Sequence, residues 1–239
     1  MKKLTYGIIG DGKMAKNFIK YLEFLNIDYL QWSRKNNSVE ELQTIATSCD
    51  PILLLITDSA IELFFQNLIK KYPGIQNKKV IHFSGSLVLN GAYGIHPLMT
   101  FTDKLCDKET YLNIPFVQDD NLKMCDLLPE IPNKLYNIKK EQKALYHCLC
   151  VMGNNFSRIL WRKVIEDFSV KLNLPAEILY PYISKTFADI LQKDKVALSG
   201  PLVRKDQETI KRNLDSLNSF HDKQIYQAFV DYCNNQENK

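Results

Sequence analysis

Four residues of one predicted helix carry side chains that could transfer a proton and orient a substrate. His147 follows Lys143 by four residues and precedes Asn154 and Asn155 by seven and eight, offsets that return to broadly the same side of a helix. A lysine or histidine can protonate a ketone oxygen after hydride attack, and an asparagine can orient the substrate. Asn154 projects closest to the direction of His147, and Asn155 lies farther round. Periodicity alone fits equally well a solvated Lys143 beside a half-buried structural His147, so both interpretations stay open.

An arginine near the C-terminus is the next candidate. Residues 199–206 read Ser-Gly-Pro-Leu-Val-Arg-Lys-Asp. A Gly-Pro turn directly before a helix can present backbone N–H groups and an arginine to a ligand. Arg204 could pair with a substrate carboxylate or with Asp206 nearby. Taken alone, the stretch favours a turn and a helix cap over a binding site.

A glycine turn near the N-terminus has the spacing of a phosphate-binding loop. An apolar run leads into Gly10-Asp11-Gly12-Lys13-Met14-Ala15, and an amphipathic run follows. Gly10 permits a tight turn, Gly12 lets the backbone approach a pyrophosphate, and Ala15 lets the helix pack close to the strand. The N-terminus of that helix favours negative charge. We therefore expect a dinucleotide site that includes Gly10, Gly12, Lys13 and Met14; an incidental glycine turn is the alternative.

The end of the second predicted strand bears on which dinucleotide is bound. An acidic residue there would bind the ribose 2′-hydroxyl of NAD, but the sequence reads Ser33-Arg34-Lys35. A hydroxyl and two cations suit a 2′-phosphate, since arginine offers it a planar fork of donors. Ser33 and Arg34 therefore favour NADP(H), with a solvated loop charge as the alternative.

The elements that must position these residues alternate between strand and helix patterns as far as about residue 101. Runs such as Ile-Leu-Leu-Leu-Ile at residues 52–56 are typical of strands buried on both faces of a parallel sheet. The pattern predicts an α/β fold with a doubly wound Rossmann sheet. Ligands bind beyond the carboxyl ends of such strands, where Asp58, Ser84 and His96 fall. We assign Asp58 to the cofactor, and Ser84 and His96 to the substrate.

Beyond about residue 138 the period becomes helical. Residues 141–168 predict one long helix with Gly153 as its weak point, and later helices are expected near residues 208–217 and 224–232. We therefore predict a dinucleotide-binding domain over residues 1–138 and an all-helical substrate and dimerisation domain over residues 139–239.

Composition narrows the function classes. The net charge of +4 over 239 residues is mild and no basic stripe stands out, so we expect no nucleic-acid partner. No stretch is long and apolar enough to span a membrane, and no histidine or cysteine spacing suggests a metal site. We interpret the six cysteines as reduced thiols, most of them buried, and expect a soluble cytoplasmic protein.

Together these motifs resemble, over nearly the full length, a bacterial family of Rossmann-like proteins with a C-terminal helical domain of the 6-phosphogluconate-dehydrogenase type. The glycine turn is generic to dehydrogenases. The more specific motifs are His82-Phe83-Ser84-Gly85-Ser86, His96-Pro97-Leu98-Met99-Thr100-Phe101, Tyr146-His147 with Asn155, and Gly200-Pro201-x-x-Arg204-x-Asp206. The sequence departs from the family at Lys205, where glycine is usual, and at Gly153, where serine or alanine is commoner.

Some members of this family resemble a non-standard class of ketopantoate reductase. The resemblance implies an NADPH-dependent reductase of a small 2-oxo acid, with ketopantoate as the expected substrate. It favours Asn155 over Asn154 as the residue that holds the substrate hydroxyl or carbonyl. It implies that His147 or Lys143 donates the proton and that Arg204 or Lys143 binds the substrate carboxylate. It also implies a homodimer. An imine reductase of the pyrroline-carboxylate type and a non-catalytic nucleotide sensor are the alternatives.

Overall fold

Seven strands form one sheet in the computed structural model, which describes residues 4–192 and 199–236. The strands are β1 Thr5–Ile9, β2 Asp28–Trp32, β3 Ile52–Leu54, β4 Val80–His82, β5 Tyr93–Pro97, β6 Phe116–Gln118 and β7 Leu135–Asn137. Their order is β2-β1-β3-β4-β5-β6-β7. Every neighbouring pair is parallel except β5 and β6, which are antiparallel. The chain reverses its direction of winding between β1 and β3, and ligands of doubly wound sheets bind at such a point.

Helices make up most of the remaining chain, and those between β1 and β7 cover both faces of the sheet. They are α1 Lys13–Leu25, α2 Val39–Ser48, α3 Asp58–Lys71, α4 Lys108–Asn113, α5 Met124–Leu127, α6 Lys143–Cys150, α7 Ser157–Leu172, α8 Tyr180–Ile190, α9 Gln207–Ser216 and α10 Phe220–Gln236. A π-helical segment, Val151–Phe156, joins α6 to α7. The predicted long helix is therefore present as a continuous run that contains one wider turn, at Gly153.

The hydrophobic core consists of two clusters, one on each face of the sheet. Successive strand residues alternate between them: Tyr6 and Ile8 belong to one cluster, and Ile9 to the other. In β3, Leu53 belongs to the first and Leu54 to the second. This period of two explains why the strands read as unbroken apolar runs, because both faces are covered.

The chain divides into two compact units, Met1–Trp161 and Arg162–Lys239. Secondary structure turns helical after β7, close to the predicted boundary at residue 138, whereas the division between units falls within α7. The assignment of residues 139–239 to a substrate domain stays a prediction. Within the described ranges, no helix has the length and apolar character needed to cross a bilayer.

The expectation that most cysteines are buried is wrong. None of the six forms a disulfide; Cys49 is buried, but Cys125 and Cys148 are exposed and the others are half-buried. Cys148 and Cys150 lie on α6, whose outer face is open to solvent.

Candidate functional site

The turn between β1 and α1 requires glycine at position 10 and leaves open space in front of Gly12. Gly10 has a φ of 131°, and a Cβ placed on it would lie 2.2 Å from the carbonyl oxygen of Leu55. Any side chain at this position would collide with the neighbouring strand end. A Cβ on Gly12, by contrast, would meet nothing within 4 Å. Gly12 is the N-cap of α1 and makes no side-chain cap, so the first N–H groups of the helix face open space.

A cavity of about 540 Å³ opens in front of this turn. It is lined by the glycine turn, the end of β2, the end of β3 and the start of α3: residues 10–14, 32–35, 55–57, Ala60 and Phe64. Lys13 lines it while pairing with Asp103 at 3.1 Å, a contact between exposed side chains. The cavity volume is within the usual range for small-molecule sites.

The end of β2 supplies unused donors to this cavity. Ser33 is 6% exposed, and its hydroxyl has no hydrogen-bond partner among the described residues. Arg34 and Lys35 follow it on the surface. A buried hydroxyl without a partner is costly unless a ligand or water completes it. The groups present therefore fit the 2′-phosphate of an adenosine ribose.

A second cavity, of about 510 Å³, lies beyond the ends of β4 and β5. It is lined by His96, Leu98, Met99, Thr100, His147, Cys150, Val151, Asn154 and Asn155. All of these residues belong to the first unit. Helix α6 and the π-helical segment provide one wall, and the chain following β5 provides the other.

His147 is held against the backbone that follows β4. A Cβ on Gly85 would lie 2.5 Å from Cδ2 of His147 and 3.3 Å from Cδ2 of His96, so only glycine admits both rings. The two imidazoles meet edge to face, with centroids 6.2 Å apart. The His147 ring makes no hydrogen bond to any described residue, which leaves its nitrogens available to a ligand in the cavity.

His96 is held by a short chain of polar groups. Its Nδ1 lies 2.7 Å from the hydroxyl of Tyr146, which in turn hydrogen-bonds Cys150. Burial, with the neighbouring His147 adding to it, lowers the pKa of His96 to about 4, so the ring is neutral at pH 7. When the Tyr146 hydroxyl donates to Nδ1, the His96 proton is on Nε2, where it can be donated to a ligand.

The π-helical segment changes the directions in which Asn154 and Asn155 project. Each π-helical residue turns by less than the roughly 100° of an α-helix, so Asn155 comes closer to the direction of His147 than α-helical spacing predicts. Both asparagines line the cavity. Asn154 Nδ2 donates to Thr100 Oγ1 at 2.5 Å and to Asn155 Oδ1 at 3.2 Å. Within the described part of the chain, Asn155 Nδ2 and Asn154 Oδ1 have no other partner.

Comparison with solved structures supports this architecture. A Bacteroides fragilis protein, provisionally assigned as an NADP oxidoreductase, matches with a TM-score of 0.75 at 21% identity, covering 97% of this chain and 98% of the other. A Thermotoga maritima protein matches with a TM-score of 0.65 at 21% identity, covering 98% of this chain and 100% of the other. Pyrroline carboxylate reductase from Plasmodium falciparum, solved with NADP bound, matches with a TM-score of 0.57 at 14% identity. The match covers 97% of this chain and 96% of the other.

The chain has a Rossmann fold. This confirms the predicted doubly wound sheet followed by a helical part. A family model described as a domain of unknown function, DUF2520, matches residues 118–233, which include α6 and the helices after it. A comparison with curated proteins returned no significant match.

Four of the predicted site residues line neither of these two cavities: Asp58, Ser84, Lys143 and Arg204. Ser84 donates its hydroxyl to Asp58 Oδ2 at 2.5 Å and accepts the N–H of Leu87 at 3.0 Å. These bonds hold the turn after β4, so Ser84 has no free donor for a substrate. Neither Ser84 nor Asp58 lines either of the two cavities described above. Lys143 is 2% exposed, so the alternative of a solvated lysine is wrong, and it does not line the cavity beside His147.

Arg204 belongs to the second unit, in a turn before α9. Asp206 caps that helix by accepting the N–H of Thr209 at 3.0 Å, and its pKa is lowered mainly by bonds to Thr209. The sequence stretch therefore does form a helix cap, and the role of Arg204 toward a carboxylate stays a prediction. Lys205 has a φ of 54°, which explains why glycine would suit this position.

Thr100, Tyr146 and Cys150 are site residues that sequence reasoning did not assign a role. Thr100 and Tyr146 stand inside the motifs that carry the family resemblance, so their position was the available signal. Cys150 follows His147 by three residues, a helical neighbour on the same face.

Proposed function

We propose that the protein is an NADP(H)-dependent reductase of a small carbonyl compound, with ketopantoate as the substrate. The observation that carries the proposal is the pair of cavities in one Rossmann unit. One contains the phosphate-binding turn and the donors of Ser33 and Arg34, and the other contains His96, His147 and Asn155. A reductase needs both a dinucleotide site and a proton donor, and these two cavities of the first unit provide the groups for both.

Residues of the first cavity would hold the cofactor. The free N–H groups at the start of α1 would bind the pyrophosphate, and Ser33 with Arg34 would bind the 2′-phosphate. The NADP-bound state of the P. falciparum relative and the NADP assignment of the B. fragilis relative are consistent with this cofactor. When bound, NADPH supplies the hydride for reduction.

His147 would supply the proton. As the substrate carbon gains a hydride, its C=O double bond becomes a single bond and negative charge develops on the oxygen. His147 donates a proton to that oxygen, and the neutral His96 donates a hydrogen bond from Nε2. The net change is one hydride and one proton added across C=O.

The asparagine pair supports a substrate that carries a hydroxyl group. Asn155 Nδ2 is a free donor and Asn154 Oδ1 a free acceptor at the same wall of the cavity. A hydroxyl can accept from the first and donate to the second, whereas a carboxylate can only accept. Ketopantoate has such a hydroxyl on C4, and pyrroline-5-carboxylate has none.

Imine reduction remains the second candidate, because the P. falciparum relative is a pyrroline carboxylate reductase. A nucleotide sensor would bind NADPH without turnover. Oxidation of NADPH, followed at 340 nm with purified protein, separates the three. The substrates are ketopantoate, 3,3-dimethyl-2-oxobutanoate, pyruvate and pyrroline-5-carboxylate. Ketopantoate should give the highest kcat/KM and should support growth of a pantothenate-requiring strain. No turnover by folded protein that binds NADPH would overturn the reductase proposal.

Arg34→Ala is expected to weaken NADPH binding by about tenfold or more and to leave NADH binding nearly unchanged, because NADH lacks the 2′-phosphate. Loss of a charge-assisted contact of this kind corresponds to about 1.5–3 kcal/mol. Dissociation constants from fluorescence titration of both cofactors measure the effect.

The matched control for Arg34→Ala is Lys70→Ala, which removes an exposed cation from the last turn of α3, at the opposite end of that helix from the cavity. It should change neither constant. Equal weakening of NADPH and NADH in Arg34→Ala, or wild-type preference for NADH, would contradict the assignment of the 2′-phosphate site.

We propose a homodimer formed through the outer face of α6 and the segment that follows it. Five apolar side chains there are each more than half exposed: Leu145, Leu149, Met152, Phe156 and Ile159. They follow one another at intervals of four and three residues along α6, the π-helical segment and the first turn of α7. Monomers rarely expose such a contiguous apolar stripe, and a second copy would cover it in an isologous interface.

Light scattering at micromolar concentration should give twice the chain mass of 27.7 kDa. Leu149→Glu with Phe156→Glu should give the monomer mass, since buried charges oppose association. Leu63→Glu is the control, because Leu63 is equally exposed but lies on α3. A monomeric wild-type protein would exclude this interface.

A further inference from the structure

A buried ion pair lies at the start of α6. Lys143 Nζ is 3.1 Å from Asp119 Oδ1, and the two side chains are 3% and 7% exposed. Lys143 is the first residue of α6 and the one buried residue in that helix. Asp119 directly follows β6. Lysine and aspartate are rarely buried to this degree, and a buried pair contributes little net stability, so its presence points to a role in specifying structure.

The ion pair rests on a glycine. A Cβ on Gly94, in β5, would lie 2.0 Å from Lys143 Nζ and 3.1 Å from Asp119 Oδ1. The next turn of α6 repeats this arrangement, because His147 lies four residues after Lys143 and rests on Gly85. Two glycines of neighbouring sheet segments thus receive two side chains from the same face of α6.

His82 completes the surroundings of the lysine. A Cβ on Gly94 would also lie 3.0 Å from Cε1 of His82. His82 is fully buried, and neither of its ring nitrogens is hydrogen-bonded to a described residue. Burial first, and then the charge of Lys143, lowers the pKa of His82 to about 4. His82 is therefore neutral at pH 7, and Asp119 is the partner that balances the Lys143 charge.

We propose that Lys143 is a positioning residue: its ion pair with Asp119, seated on Gly94, sets the register of α6 so that His147 rests on Gly85 in the cavity. This inference builds on the proposed function, in which His147 donates the proton. Lys143 acts through α6 and not on the substrate, because its ammonium group is buried beside Asp119 and Lys143 does not line the cavity. A displacement of about 1 Å at a proton donor can lower turnover by about a hundredfold, so register matters to the rate.

The decisive comparison is between one charge removed and both removed. Lys143→Met leaves Asp119 buried without a partner, and we expect a lower melting temperature and a kcat lower by about a hundredfold. Lys143→Met with Asp119→Leu removes both charges and keeps the volume apolar. The double variant should recover stability and at least about tenfold of the lost kcat. A folded double variant with no recovery would mean that Lys143 itself is catalytic and would overturn the proposal.

A surface pair provides the control. Lys20 and Glu23 are also 3.1 Å apart but are much more exposed, at 36% and 45%. Lys20→Met with Glu23→Leu should change neither kcat nor melting temperature appreciably, because exposed pairs contribute little.

A readout independent of activity follows the His147 ring directly. In protein with isotope-labelled histidines, the NMR resonance of the His147 ring can be assigned because it is missing in His147→Gln. This resonance should shift in Lys143→Met and also in Asp119→Asn, which keeps the side-chain volume. An unchanged resonance in Asp119→Asn would overturn the proposal even if the double variant does not fold. If wild-type protein reduces no substrate, the proposed function fails, while the resonance still tests the positioning role.

Discussion

Replacing His147 with glutamine is expected to lower kcat for the preferred substrate by about 10²–10⁴-fold, the range that a general acid contributes. Glutamine keeps a polar side chain of moderate size, but it cannot donate a proton to a developing alkoxide. The His147 ring lines the second cavity and makes no hydrogen bond to a described residue. Steady-state kinetics with saturating NADPH measure the change, and fluorescence titration should show that NADPH binding is retained.

The control is His221→Gln, since His221 is an exposed histidine on α10, in the second unit. It should leave kcat at the wild-type value. If His147→Gln retained more than about a tenth of wild-type kcat, the proton would have to come from another group, and the proposed role of His147 would be wrong.

Asn155→Ala is expected to lower kcat/KM for ketopantoate by about 10–100-fold and to leave that for 3,3-dimethyl-2-oxobutanoate nearly unchanged. The two compounds differ only by the C4 hydroxyl, which Asn155 Nδ2 is free to bind. In the bound complex, leaving the substrate hydroxyl without its hydrogen-bond partner corresponds to about 1–3 kcal/mol. Because the contact should strengthen in the transition state, part of the loss should appear in kcat and not in KM alone.

Asn67→Ala is a suitable control for this second prediction, because Asn67 is an exposed asparagine on α3. It should affect neither substrate. An equal loss for both oxo acids in Asn155→Ala would show that Asn155 does not recognise the hydroxyl, and the choice of ketopantoate over an imine would lose its support.

Local sequence determined much of the fold and one of the two cavities. Apolar runs such as residues 52–56 predicted the doubly wound sheet, because strands buried on both faces need uninterrupted apolar side chains. The turn at Gly10 and Gly12 and the end of β2 at Ser33 lie together in the first cavity, as the order of strand, turn and helix implied. These features depend on residues close in sequence, whose geometry the backbone largely fixes.

Only the tertiary structure decided which side chains line the second cavity. Helical spacing grouped Lys143 with His147, but Lys143 is enclosed by Asp119 and Gly94, which come from β5 and the end of β6. Spacing along a helix predicts the direction in which a side chain projects, but not whether other parts of the chain bury it. A carboxylate distant in sequence is what makes this lysine a buried ion and not a surface charge.

The two asparagines give the same lesson for local geometry. The assumption of a regular α-helix put Asn154 nearest the direction of His147, whereas the π-helical segment brings Asn155 round and leaves Asn154 bonded to Thr100. Gly153 in that segment was visible as a weak point of the helix, but its sequence could not specify a wider turn. The sequence thus determined the sheet, the phosphate-binding turn and the identity of the polar residues. The packing of α6 against the strand ends decided which donors and acceptors of these polar residues face a ligand. This packing depends on contacts between distant parts of the chain, which local sequence does not specify.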